Sequence, residues 1–254
     1  MARGIVLAIG CVAEFLGLCA IITIVVVGNK IGGFAAFPSF NYHPLLMTLG
    51  FVFIFGHGIL TFQIISNLKL HVSRLVEKLI HFGTLSMGCV FMFIGWSCAD
   101  SMDGTTLFPH GLDYEGSPHS CIGLAAIIFF GLQGLVGFTF FLFPKFGSAL
   151  LRLKVVKIHR LFGLFSFLMA VVATLMGATE LAMLQSLQSA SESTPSITPL
   201  VVVFVSCILM FAFSVISIQI QPVMTAEDKD YSQTRTVQEE MSEMVHDLNN
   251  TTSE

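Results

Sequence analysis

Charge is scarce in this sequence. Asp, Glu, Lys and Arg make up 11% of its 254 residues, against about 25% in soluble globular domains. That shortage excludes an ordinary water-soluble fold. A CxxC pair and a disulfide framework are also lacking. The six cysteines, Cys11, Cys19, Cys89, Cys98, Cys121 and Cys207, lie in or at the ends of apolar segments, which favours free thiols facing lipid or core. Cys98 and Cys121 fall on one side of the membrane, so a bridge between them stays open. There is no detectable internal repeat. The first apolar run lacks a small-residue cleavage site and exceeds the about 7–15 residues of a signal-peptide core, so it reads as a retained helix.

What the chain has instead is apolar residues at 54% and a mean hydropathy of +0.83. Six nearly charge-free runs recur, at 5–27, 44–65, 79–98, 120–143, 161–179 and 200–220. A span needs about 20 such residues to cross a hydrocarbon core of about 30 Å. The fold class expected is therefore an all-α membrane protein of six transmembrane helices. Residues 1–222 form that transmembrane domain. Residues 223–254, rich in Glu, Asp, Ser and Thr, read as an acidic, solvated and largely disordered cytosolic tail, with a weak amphipathic signal in Val237, Met241, Met244, Val245 and Leu248.

Basic residues fix the expected orientation. Lys69, Arg74 and Lys78 come after span 2, and Lys145, Arg152, Lys154, Lys157 and Arg160 after span 4. The connections after spans 3 and 5 contain no Lys or Arg, but hold Asp100, Asp103, Asp113, Glu115 and Glu192. The positive-inside rule then places both basic connections and both termini in the cytosol; only Lys30 runs against it. The net charge of -4 comes from outer loops and tail and identifies no partner. Neither the plasma membrane nor an endomembrane vesicle is singled out.

Four of the eight histidines share a pattern. His43, His81, His119 and His159 are separated by 38, 38 and 40 residues, one at the N-terminal end of each of spans 2–5. Antiparallel succession puts His43 and His119 at the outer face and His81 and His159 at the inner face. In a four-helix core, alternate helices are diagonal partners whose facing side chains hold cofactors. Two diagonal histidines at one depth can ligate one iron from both sides, and neutral imidazole suits haem iron. The expectation is two bis-histidine b haems, His43 with His119 on the outer iron and His81 with His159 on the inner. A centre with both axial positions filled exchanges single electrons and leaves no open site for substrate. His71, His110 and His246 read as solvated; acidic neighbours of His110 could draw ferric iron, though an ordinary acidic loop is preferred.

These residues resemble the cytochrome b561 family over roughly 37–180. The resemblance is carried by Asn41-Tyr-His-Pro-Leu-Leu-Met47, Lys78-Leu-Ile-His81, Gln133-Gly-Leu-Val-Gly-Phe-Thr-Phe-Phe-Leu-Phe-Pro144, Lys157-Ile-His-Arg-Leu-Phe-Gly163 and Met176-Gly-Ala-Thr-Glu180. It implies a six-helix homodimer in the lipid bilayer with two haems b. It further implies ascorbate as cytosolic donor, with monodehydroascorbate or ferric iron as the exoplasmic or lumenal acceptor. The family's ligand positions fall on the same four histidines. An oxidoreductase of ferric-reductase type is the function implied, with no nucleic-acid partner. Gly50, Gly56, Gly83, Gly88, Gly123, Gly134, Gly137 and Gly163 fit either close approach of a porphyrin or small-residue helix packing. Two departures stand out. Gln63 occupies the place of an arginine associated with ascorbate, and Ser117-Pro-His-Ser-Cys121 replaces Ser-Leu-His-Ser-Trp.

An anionic donor would be drawn to a basic patch, for which Lys78, Arg152, Lys154 and Lys157 are the candidates. The rival functions are a polytopic transporter, which the few charges inside the spans disfavour, and a haem-binding scaffold without turnover. Glu14 and His57 are ionisable groups within apolar spans, expected about 13 Å and about 12 Å below the cytosolic surface at 1.5 Å per residue. Contact between them is feasible. His57 lies fourteen residues after His43, within about 40° of the same helical face, so it could border the inner haem and accept or relay a proton as the haem changes charge. The plainer alternatives are a protonated Glu14 and a His57 bonded to a neighbouring carbonyl or hydroxyl.

Overall fold

The computed structural model describes residues 3–34, 37, 39–99, 117–142, 147–189 and 196–220. Among them are six helices long and apolar enough to cross a membrane, as the hydropathy pattern requires. The order is α1 (Arg3–Lys30), α2 (Tyr42–Met47), a π-helical stretch (Thr48–Ile54), α3 (Phe55–Asn67), α4 (Arg74–Ala99), α5 (Pro118–Gly137) running into a second π stretch (Phe138–Leu142), α6 (Ala149–Ser189) and α7 (Thr198–Gln219). From Tyr42 to Asn67 the chain is one continuous span. The 223–254 tail, His110, His246 and the acidic residues 100, 103, 113, 115 and 192 lie outside the described residues.

Local chemistry sets the helix ends. Ser117 caps α5, its Oγ accepting the Ser120 N–H at 3.3 Å, and Pro118 occupies the first turn, where its missing N–H goes unneeded. Between α3 and α4 the chain turns through Lys69 at φ 54. Gly147 at φ +75 and the Ser148 hydroxyl, which accepts the Leu151 N–H at 3.2 Å, start α6. That helix begins well before the apolar run at 161. Leu, Lys and Arg are good helix formers, so the basic segment continues the helix. His159 therefore lies inside α6 although it precedes the apolar run, and His81 sits two turns into α4.

Three pairings build the molecule: α1 lies along α7, the Tyr42–Asn67 span lies along α4, and α5 lies along α6. The central four spans are thus two hairpins. They touch each other sparingly, chiefly through buried Phe51 and Phe55 of one hairpin against Phe130 and Phe167 of the other. Phe55 meets Phe130 at 4.7 Å and Phe167 at 5.7 Å between ring centroids. These phenylalanines form a plug at mid-height, and Phe82 of α4 meets Phe138 of the other hairpin at 5.7 Å.

Some of the glycines serve close helix packing. A Cβ on Gly50 would lie 2.6 Å from Phe91 Cβ and 2.7 Å from the Gly88 carbonyl, so these two glycines let α4 press against the π stretch. Gly83, Gly134 and Gly163 face open space. None of the six cysteines forms a disulfide; Cys98 is buried and Cys121 exposed. Backbone cannot yield at Gly50, so Gly50→Ala should destabilise the fold by about 1–3 kcal/mol, the usual penalty of overpacking. Gly4→Ala, which meets nothing within 4 Å, should be neutral. Thermal unfolding in detergent distinguishes them; equal melting temperatures would mean that the close approach is not there.

Candidate functional site

At one end of the two-hairpin core, His43 at the start of α2 faces His119 at the start of α5, ring centroids 6.0 Å apart and planes crossed at 85°. At the other end His81 of α4 faces His159 of α6, at 6.5 Å and 72°. Each pair joins one histidine from each hairpin, and its members share one depth. The histidine spacing anticipated both juxtapositions.

Backbone carbonyls orient three of the rings. His43 Nδ1 donates to Gly95 O at 3.0 Å, His81 Nδ1 to Gly58 O at 2.6 Å and His119 Nδ1 to Ala173 O at 2.7 Å. A carbonyl only accepts, so each Nδ1 carries the hydrogen and each Nε2 keeps its lone pair free. The fourth ring differs: His159 Nδ1 is buried without a partner among the described residues, as is Gln133 Oε1. Sequence reading missed these carbonyls because any helical residue can supply one. It also missed Gly177, where a Cβ would come within 2.7 Å of the His119 ring, whereas Gly137 leaves 3.2 Å to His159.

The spacing fits a metal held between imidazoles. A metal–imidazole nitrogen bond is about 2 Å, so one ion between two nitrogens spans about 4 Å. The rest of the 6.0 and 6.5 Å is about the distance from each ring centre to its own nitrogen. No group of three or more His, Cys, Asp or Glu side chains suited to a metal occurs among the described residues. A two-imidazole site with a planar macrocycle supplying the remaining ligands suits this donor set. Gly163, one turn after His159 on its face of α6, meets nothing within 4 Å, which leaves room beside that couple for such a macrocycle.

Other rings close in on the pairs: Phe40 stacks at 5.8 Å on His43, Phe62 lies 5.3 Å from His81 and Phe141 5.3 Å from His159. Beside His119, Ser117 Oγ donates to Glu180 Oε2 at 3.1 Å, tying the start of α5 to α6. At the basic end, Lys78 is half-buried one turn before His81, on its face of α4. Arg152, seven residues before His159, shares that residue's face of α6 and bonds Gly147 O at 2.8 Å. Lys154 and Lys157 are exposed on other faces of α6. Of the four basic candidates, two therefore align with the histidines. Arg74 pairs with Glu77, His71 is exposed in the turn, and Gln63 is buried, at 3% exposure.

His57 departs from expectation in direction. It touches Glu14, but its ring lies against Phe53 and Phe211, toward α1 and α7 and away from the hairpin interval. The fourteen-residue estimate assumed α-helical rotation throughout. The π stretch Thr48–Ile54 breaks it, since each extra residue taken into a π turn rotates the rest of the helix by about 100°.

The sequence matches the family model for eukaryotic cytochrome b561 over residues 42–185, more than half of the chain and including all four facing histidines. It is similar to the probable ascorbate-specific transmembrane electron transporter 1 of Oryza sativa subsp. japonica, 28% identical over 194 residues, covering 76% of this chain and 78% of the relative. The ascorbate-specific transmembrane electron transporter 2 of Zea mays is 28% identical over 193 residues, 76% and 77%. The plasma membrane ascorbate-dependent reductase CYBRD1 of Xenopus laevis is 33% identical over 142 residues, 56% and 48%.

The Gly177 contact makes a prediction. Gly177→Val should displace the His119 ring and lower bound haem, while Gly10→Val, with nothing within 4 Å, should leave it intact. The alkaline pyridine haem assay on purified protein reads the difference; full haem in Gly177→Val would show that the ring has room to move.

Proposed function

This chain belongs to the eukaryotic cytochrome b561 family, and from that premise we propose that it carries single electrons across a membrane, from ascorbate on one side to an acceptor on the other. Membership implies haem b and an integral multi-pass transmembrane oxidoreductase. The finer reading is two haems, one on His43 and His119, the other on His81 and His159. The observation that carries it is the pair of facing imidazole couples, 6.0 and 6.5 Å apart, at opposite ends of one four-helix core.

A b haem held by these imidazoles would supply one-electron chemistry. The protein's own groups do the rest. Gly95, Gly58 and Ala173 carbonyls hold three rings in the tautomer that presents Nε2. Phe51, Phe55, Phe130 and Phe167 fill the space between the two couples and exclude water from it. An electron path through an apolar plug admits no ions alongside.

The basic end is the cytosolic, donor-binding face in this reading, with both termini and the 223–254 tail on that side. Lys78 and Arg152 flank the inner couple and raise the local concentration of an anionic reductant; Lys154 and Lys157 serve topology. Gln63, neutral and buried, offers ascorbate no charge, so Lys78 takes a larger share of its attraction. Monodehydroascorbate or ferric iron is the acceptor at the His43–His119 end, and the working form is a homodimer.

Two measurements test the proposal. His81→Ala or His159→Ala should remove one haem of two, and His43→Ala or His119→Ala the other, read by reduced-minus-oxidised absorption and haem stoichiometry. Both haems persisting in either set would remove that couple from ligation. Lys78→Gln should slow reduction by ascorbate about tenfold while an uncharged hydroquinone reduces wild type and variant equally. Equal ascorbate rates would take Lys78 out of the donor site.

A further inference from the structure

Between Arg3 and Lys30 the helix α1 carries one charged side chain, Glu14; α7 carries none, and the 42–67 span has only His43 and His57 as ionisable groups besides Tyr42 at its start. Glu14 and His57 nevertheless meet. His57 Nε2 lies 2.5 Å from Glu14 Oε1, and His57 Nδ1 donates to Phe53 O at 2.7 Å. Since a carbonyl only accepts, Nδ1 keeps its hydrogen. One proton then remains for Nε2 and Oε1 to share. It rests either on Glu14, as a neutral acid donating to a neutral imidazole, or on His57, as an imidazolium against a carboxylate. Both arrangements are neutral. A proton lost or a second gained would leave net charge in the span, which costs far more there than in water. The pair therefore keeps one proton and has two places for it.

Those places are unequal in position. His57 stands on α3 beside Gly58, whose carbonyl holds His81, while Glu14 stands one helix further out on α1. The remaining groups packed on the pair bring no charge. From α3 the Thr61 hydroxyl bonds the His57 carbonyl at 3.1 Å, α7 contributes the Phe211 ring, and the other ionisable groups of α1 and α7 inside the span are the thiols Cys11, Cys19 and Cys207.

We propose that Glu14 and His57 form a proton-shift pair that answers an electron at the inner couple, an inference that rests on the assignment of His81 and His159 to a haem. Without the electron, the low-polarity surroundings favour the uncharged arrangement, with the proton on Glu14. An added electron favours positive charge close by, and the proton moves from Glu14 to His57. The Glu14 O–H bond breaks, the His57 Nε2–H bond forms, and no proton enters from either surface. The electron comes from the donor and leaves to the second couple, after which the proton returns.

Reduced-minus-oxidised infrared difference spectra of the full-length, haem-loaded protein in lipid test this. Reduction should abolish a protonated-carboxyl C=O band and create a carboxylate band. Both should be absent in Glu14→Gln and displaced in Glu14→Asp. Glu14→Gln and His57→Gln should lower the reduction potential of the inner haem with haem content unchanged. A merely structural tie between α1 and α3 would alter melting temperature and leave both readouts untouched. No reduction-linked carboxyl band in wild type, or one that survives in Glu14→Gln, overturns the proposal. Haem counting on His81→Ala in the same preparation separates the two levels. Two haems retained there overturns the inner-couple assignment, while one haem lost with no Glu14 band overturns the proton shift alone.

Discussion

A buried imidazole has to give its N–H to something, and in the middle of a membrane span only another part of the protein can take it. Here helix carbonyls take three of the four. His43 of the second span bonds the third span at Gly95, and His81 of the third bonds the second at Gly58. The two bonds cross at opposite ends and lock one hairpin to itself. Glycine at both acceptor positions lets the helices close: a Cβ on Gly95 would lie 3.0 Å from Leu46 Cβ and one on Gly58 2.4 Å from the Leu85 side chain. The second hairpin is held once in this manner, His119 to Ala173. His159 Nδ1 has no such hold among the described residues. The two histidine couples are thus oriented asymmetrically, three rings fixed by backbone and one by packing against Phe141 and Gly137.

This arrangement explains what could be read beforehand. Spans are legible because each apolar run is a local property of the chain. The histidine couples are legible because antiparallel succession turns a repeat of about one span plus one connection into a statement about depth. Helix continuity past an apolar run is harder, as α6 shows: hydropathy stops near 161 although helix propensity does not. Facing direction is harder still. The π stretch within Thr48–Ile54 has no sequence marker, yet it rotates everything after it, and His57 points to α1 and α7 because of it. Gly177 illustrates another limit. Its contact with His119 joins α6 to α5 through tertiary packing, which no spacing within either helix encodes.

The same π stretch has a structural consequence for the site. Phe51 lies within it and Phe55 comes directly after it, and both enter the plug with Phe130 and Phe167. Uniform α-helical rotation would bring His57 round to within about 40° of His43, into the interval between the hairpins. With the π turn, the span presents His43 and the plug to the opposite hairpin, then swings its later ionisable residue outward. One irregularity thus separates the apolar electron route from the protonatable group.

That separation bears on how an electron can cross without dragging a charge-compensating ion through the plug. Phe167 is fully buried at 0% exposure and Phe55 nearly so at 3%, so the plug leaves no room on the axis for water or a cation. Compensation has to come from groups already in place. On the far side of α3, Glu14 is 51% and His57 26% exposed where α1 meets α3 within the spans. A net charge there would face hydrocarbon. A proton confined to that pair moves charge over a short distance without changing its total, which is the form of response such a surface tolerates. Helix α1, which contributes no histidine to either couple, then has a part in the chemistry through a single carboxyl group.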